Sequence, residues 1–261
     1  MGVELVWPFL FGLTYGSFLN VVIYRLDDWV SILRGRSKCP DCQTELRASD
    51  LIPLVSFAML GGKCRYCRAP IKWQYPIVEL ATGLLVAAGY SLIFSSGLPL
   101  DRAVISFIFY ILALGSLVVI FWHDLTEMMI PDAVSYFLLV TSLIFSLTFF
   151  GSLKDTLYGA LIGFVPIALL VYPSRGRWMG EGDVKLATAL GIIVGYPSAI
   201  VYLASAFVSG GVIGLLIILV RRGHLKTAVP FAPFLIIGAL IGLFYGPSLV
   251  HWYLGMLGYV Y

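Results

Sequence analysis

Residues 102–132 read RAVISFIFYILALGSLVVIFWHDLTEMMIPD. About twenty apolar residues, enough to cross a hydrocarbon layer of roughly 30 Å as a helix, run without a break and then meet His123, Asp124 and Glu127. The pattern recurs in both directions along the chain. Apolar runs fall at 3–24, 75–95, 102–122, 132–150, 155–172, 182–195, 197–220 and 230–256, the sixth of them short. With 60% hydrophobic and 12% charged residues in 261, the chain has too little polar surface to cover a soluble globule. The expected fold is an all-α polytopic membrane protein of about eight transmembrane helices, surrounded by membrane lipids. The first run lacks a basic leader segment and a small-residue cleavage site, so it reads as a retained anchor. A net charge of +3 says little, and no nucleic-acid partner is expected.

The distribution of charge orients the expected helices. With the N-terminus outside, the connection from Arg25 to Lys72 carries nine Lys/Arg, Arg175 to Lys185 three, and Arg221 to Lys226 three, all on the cytoplasmic side. Only Arg102 and Lys154 remain opposite, a bias of 15 to 2. The 122–131 and 173–183 connections then share the cytoplasmic face, so Asp124 and Asp183 open on the same side.

All four cysteines lie in the first long loop, as Cys39-Pro40-Asp41-Cys42 and Cys64-Arg65-Tyr66-Cys67. Two Cys-x-x-Cys knuckles at this spacing suit a tetrahedral zinc ion; the other reading is two disulfides or four idle thiols, disfavoured in a cytoplasmic loop. Four thiolates leave no open coordination position, so a metal here is structural. The basic neighbours Lys38, Lys63, Arg65 and Arg68 would offset the extra negative charge or meet anionic lipid. The apolar segment Leu51 to Leu60 is too short to span and is expected on the membrane surface or under the metal knot. The expected organisation is a first transmembrane helix at 1–24, a cytoplasmic loop with a four-cysteine zinc site at 25–74, and a membrane core at 75–261.

A carboxylate at membrane depth costs roughly 2.5 to 3.5 kcal/mol, which makes function the first hypothesis for Asp124 and Asp183. Two aspartates on different helices can share one proton, one acting as base on a water while the other polarises a carbonyl, and so cleave a peptide bond. Helix capping is the alternative for each. Asp132, after Pro131, reads as the start of the fourth span. Glu127 and Glu181 read as solvated or lipid-facing, and His123 as an interfacial anchor. Glu79 lies a turn inside the second span, where it either snorkels, pairs with Lys72 or Arg25, or binds a cofactor or substrate. Asn20 reads as an interhelical hydrogen-bonding residue.

Six segments in order resemble the type IV prepilin peptidases: Gly16 to Leu26, the cysteine tetrad, Tyr75-Pro76-Ile77-Val78-Glu79-Leu80, Asp124 to Asp132, Gly180 to Leu186, and Pro230-Phe231-Ala232-Pro233-Phe234-Leu235. Asp27 and Ala232 depart from what relatives often carry there. The resemblance implies a bifunctional leader peptidase and N-methyltransferase of the bacterial inner membrane. Asp124 and Asp183 would be the catalytic pair of a Gly-x-Gly-Asp aspartic protease, facing the cytoplasm. It also implies type IV prepilins or pseudopilins as substrates and S-adenosylmethionine as methyl donor. No glycine-rich nucleotide loop marks where that donor binds. The rival reading is an ion-coupled transporter with intramembrane carboxylates; a noncatalytic scaffold subunit is a third.

Overall fold

A computed structural model describes residues 4–26, 28, 30, 32, 35–221 and 229–258. The described residues are helical with connecting loops and two isolated β-bridges. They form two units, 1–96 and 97–261.

In the first unit α1 (Val6–Tyr24) packs on α3 (Gln74–Phe94), and the loop between them carries a 3₁₀ turn (Ala48–Asp50) and the short helix α2 (Val55–Met59). Asn20 ties the two long helices together, its side-chain amide donating to the Tyr75 carbonyl at 3.2 Å, as its polarity within an apolar run predicts. The loop is anchored by Asp50, whose carboxylate takes the Arg65 guanidinium at 2.6 Å, the Tyr66 hydroxyl at 3.0 Å and the Arg47 N–H at 3.1 Å. Burial opposes its charge, but those three donors outweigh it and hold the carboxyl below its usual range.

The second unit contains α4 (Leu100–Glu127), α5 (Asp132–Phe149), α6 (Leu153–Val171), α7 (Glu181–Val194), α8 (Ser198–Arg221) and α9 (Ala232–Met256). Across the described residues seven helices are long and apolar enough to cross a membrane. The 182–195 run, expected as the sixth span, forms α7, which at 14 residues is only about 21 Å long. Nine of its residues are buried, on all sides, so it is a central helix wrapped by α5, α6 and α9. Small residues permit this. A Cβ on Gly159 of α6 would strike the Gly191 carbonyl, and one on Gly163 the Ala187 carbonyl. The two helices meet backbone to backbone through small-x-x-x-small faces on each side.

A second boundary also moves. The third span was expected to end at 122, with 122–131 as a connection, whereas α4 continues to Glu127 and the connection is only 128–131. At 28 residues α4 is about 42 Å long and outlasts the hydrocarbon, so its polar last turn needs no break in the helix. Asp124 is therefore on a helix wall, continuing the buried stripe Ala103, Ser106, Tyr110, Ala113, Leu117 and Ile120. Of the residues named above, Asp27 and Lys226 lie outside the described residues.

Candidate active site and metal centre

Asp124 is 5% exposed, and Asp183, half-buried, sits at the start of α7. Asp124 does not cap a helix, whereas Asp183, though not the N-cap residue, closes the capping box of α7. Asp124 lies inside the last turn of α4, and the N-cap of α7 is Gly180, with Asp183 at the third helical position and its carboxylate accepting the Gly180 N–H at 3.1 Å. The two carboxylates are near enough for the charge of one to act on the other. Several backbones converge beside them.

α9 supplies the first convergence. The Ala232 N–H, at the first position of that helix, donates to Asp124 Oδ2 at 3.1 Å across 108 residues of sequence. Helix-start N–H groups have no partner of their own, and the positive end of the helix dipole favours a carboxylate there. In Pro230-Phe231-Ala232-Pro233 the prolines carry no N–H, which restricts the donor to the residues between them. The motif signalled that something happens here; the partner was not readable from it.

The 128–131 connection supplies the second. Met128 takes a left-handed φ of 53° and ends α4, the His123 ring nitrogen Nδ1 bonds the Met129 carbonyl at 2.8 Å, and Ile130 lies against Gly182. A Cβ on Gly182 would stand 2.8 Å from Ile130 Cβ, so the glycine before Asp183 is the space Ile130 occupies. Asp132 starts α5 as expected and also takes the Lys185 ammonium at 2.6 Å, which ties α5 to α7; Lys185 lies over the Tyr136 ring as well. Tyr202 of α8 is fully buried, hydrogen-bonds the Ala187 carbonyl at 3.4 Å and lies within reach of the charge on Asp183, a neighbour with no signal in the sequence. Glu127 and Glu181 are exposed.

In the first unit the four cysteines form one cluster, and none is in a disulfide. Their sulfurs all lie within 4.8 Å of one another, with Cys39 and Cys67 at 3.8 Å. Four sulfurs about 2.3 Å from one tetrahedral centre stand roughly 3.8 Å apart, so the cluster could hold a single metal ion. The two knuckles repeat one geometry. Each is closed by an antiparallel bridge, Lys38 to Glu45 and Lys63 to Pro70, and the residue after each second cysteine, Gln43 or Arg68, takes a left-handed φ of 57° or 63°. That turn aims backbone N–H groups at sulfur: those of Cys42 and Asp41 at Cys39, those of Cys67 and Tyr66 at Cys64, where they hold the thiol below its usual value. Cys39 and Cys64 are buried at 5% and 6% exposure.

Glu79 neither reaches outward nor sits at an exposed edge. It is 7% exposed and accepts the Leu54 N–H at 2.9 Å together with the Ser17 hydroxyl, so it binds the loop to α1 and α3.

Comparison with known proteins agrees with this arrangement. Residues 10–93 match the Bacterial Peptidase A24 N-terminal domain, and residues 111–246 match the Type IV leader peptidase family. Prepilin leader peptidase/N-methyltransferases are similar over nearly their whole length. That of Aeromonas hydrophila is 34% identical over 94% of this chain and 92% of its own. The Pseudomonas aeruginosa protein is 32% identical over 96% and 93%, and the Legionella pneumophila protein 30% identical over 94% and 93%. No solved structure matches the chain. Nothing in these similarities favours an ion-coupled transporter. With one family model covering the first unit, another covering more than half of the chain, and full-length relatives above 30% identity, the chain belongs to the Type IV leader peptidase family.

Proposed function

We propose that this protein is a membrane aspartic endopeptidase that removes the leader from type IV prepilins or pseudopilins, with Asp124 and Asp183 as its catalytic pair, and then methylates the new N-terminal amine. The observation that carries the reading is the convergence of a buried and a half-buried aspartate from α4 and α7, each held by a backbone N–H, with Asp183 within reach of the charge on Asp124. The ionised member takes a proton from water as it attacks the scissile carbonyl carbon, while the protonated member gives its proton to the carbonyl oxygen. As the tetrahedral adduct collapses, the aspartate that took the proton from water gives it to the leaving amine and the other aspartate takes a proton back from an adduct hydroxyl, so the C–N bond breaks, the new carboxyl forms and the pair ends as it began. The Ala232 and Gly180 N–H groups orient the two carboxylates for this exchange.

The 15 to 2 charge bias supports a multi-pass protein of the bacterial inner membrane with an outside N-terminus and this site at the cytoplasmic face. A basic leader stays in the cytoplasm while the apolar segment of the substrate enters the bilayer, so the scissile bond falls at the level of the pair. Zinc is the proposed occupant of the Cys39, Cys42, Cys64 and Cys67 cluster. Its soft thiolate set and closed shell assign it a structural role, stapling a loop too small to fold on a core of its own. S-adenosylmethionine supplies the activated methyl group for the second reaction.

The test uses purified protein in detergent with a peptide spanning a prepilin junction, products being weighed by mass spectrometry. Cleavage followed by a methyl mass increment on the new N-terminus is expected, with cleavage lost in Asp124→Asn and in Asp183→Asn. Undiminished cutting by both variants would remove the catalytic assignment.

A further inference from the structure

The apolar segment 51–60, which its sequence leaves between the membrane surface and the metal knot, is placed by two contacts with α3. The Leu54 N–H donates to Glu79 Oε2 at 2.9 Å, and the Phe57 ring of α2 lies against that of Trp73, the N-cap of α3, with centroids 5.1 Å apart. Leu54 keeps a positive φ of 59° while making its bond, a strain that the surrounding contacts must hold. α3 has 21 residues and is about 31 Å long, so all of it is needed to cross a hydrocarbon layer of roughly 30 Å. Trp73 then stands at the boundary, where indole rings favour the headgroup level, and Glu79 lies about 8 Å along the axis from the first residue of the helix. Segment 51–60 is tied to both levels.

Its outward side chains suit that depth. Leu51, Ile52, Val55 and Met59 are 40 to 81% exposed, while Phe57 packs onto Trp73. Val55 and Met59, four residues apart, share one face of α2. Four large apolar side chains this close together in the chain are poorly solvated by water and well solvated by lipid. Lys63, Arg68 and Lys72, exposed and just beyond α2 in the chain, are cations of the kind that anionic headgroups attract. We infer that segment 51–60 is an interfacial anchor: Leu51, Ile52, Val55 and Met59 enter the leaflet that the loop faces, among the acyl chains of anionic phospholipid, with the basic residues at the headgroup phosphates. Helices that lie on a bilayer seat their apolar faces about 5 to 10 Å into it, which is the depth the contacts with Trp73 and Glu79 set. The four-cysteine loop is thereby fixed to the membrane at a third point, besides the ends of α1 and α3.

The experiment places the wild-type full chain in phosphatidylcholine nanodiscs doped with a phosphatidylglycerol or a phosphatidylcholine that carries a diazirine near the ester end of one acyl chain, and maps the adducts by mass spectrometry after irradiation. Adducts on 75–94 report that the probe reaches a span. Adducts on 51–60 as well are expected, and their yield relative to 75–94 should be about fivefold higher with the phosphatidylglycerol carrier, the preference that one basic residue at an anionic surface confers. Labelling of 75–94 with none on 51–60 would overturn the anchor, and equal relative yields with the two carriers would overturn its selection of anionic lipid. A photoreactive p-benzoylphenylalanine in place of Met59 asks the reverse question, with thermal melting as the control for folding. Capture of lipid supports the inference, whereas capture of another segment of this chain or of a second copy would show that protein covers the face, and would overturn it. No readout depends on cleavage or methylation, so the anchor stands or falls separately from the proposed function.

Discussion

Substituting Gly182 by alanine tests why the residue before Asp183 is glycine. The added methyl would stand 2.8 Å from Ile130 Cβ and 3.4 Å from both Cγ1 and Cδ1 of the same side chain. Carbon atoms rest about 3.5 to 4.0 Å apart, so the first turn of α7 and the 128–131 connection must separate by roughly 0.7 to 1.2 Å. The nearest atom is a Cβ, fixed to the backbone, so rotation of the Ile130 side chain cannot absorb the displacement. Asp183 is the next residue and would move with the turn. A displacement of about 1 Å in a reacting group costs on the order of 100-fold in rate. Gly182→Ala should therefore lower kcat for prepilin peptide cleavage about 100-fold in detergent-purified protein, while the melting temperature changes little. The partner is named, so the loss should be reversible: Ile130→Gly, which removes the clashing Cβ, should recover most of it in the Gly182→Ala background, giving a large coupling in the double-mutant cycle. Full activity of the single variant, or failure of Ile130→Gly to restore any, would refute the steric explanation.

Other outcomes follow from the same geometry. Asp124→Asn keeps an acceptor for the Ala232 N–H, whereas Asp124→Ala leaves that buried donor unpaired at a cost of about 1 to 3 kcal/mol; both should stop cleavage, but only the alanine variant should melt measurably earlier. Removing the metal with a chelator, or replacing Cys39 or Cys64 by serine, should loosen the 35–74 loop and expose it to limited proteolysis, and should reduce methylation while some cleavage persists. Complete loss of cleavage in a well-folded cysteine variant would contradict a purely structural metal. Asp50 is held below its usual pKa, so its contribution to loop stability is present above about pH 4, where the unfolded group is also ionised, and is lost as pH falls through the lower folded value. Asp50→Asn should therefore lower the stability of the loop near neutrality, with the gap to wild type closing in acid, as read by proteolytic resistance across pH.

The membrane class, the cysteine cluster and the two acidic groups were legible in the sequence because each is a local or compositional signal. Apolar runs of spanning length, two Cys-x-x-Cys pairs, and carboxylates where charge is scarce all carry their meaning within a few residues. The helix starting at Asp132 and the bonding role of Asn20 were readable for the same reason. Where a signal depends on surroundings, the reading failed. The length of α4 was underestimated because polar residues at the end of a span look like a connection, although a helix outlasting the bilayer keeps its own hydrogen bonds. Glu79 offered several roles, and only packing against Leu54 and Ser17 selects a buried one.

By itself the sequence determined that the chain enters the bilayer repeatedly, that one loop gathers four thiols, and that acid groups stand at the ends of two apolar runs. Only the tertiary structure decided that α7 is a short buried helix, that Ile130 fills the space beside Gly182, and that the start of α9 binds Asp124 across 108 residues. The physical reason is that hydropathy and ligand spacing act between near neighbours in the chain. The contacts that hold the two carboxylates are made by backbone groups whose positions depend on every helix packed around them.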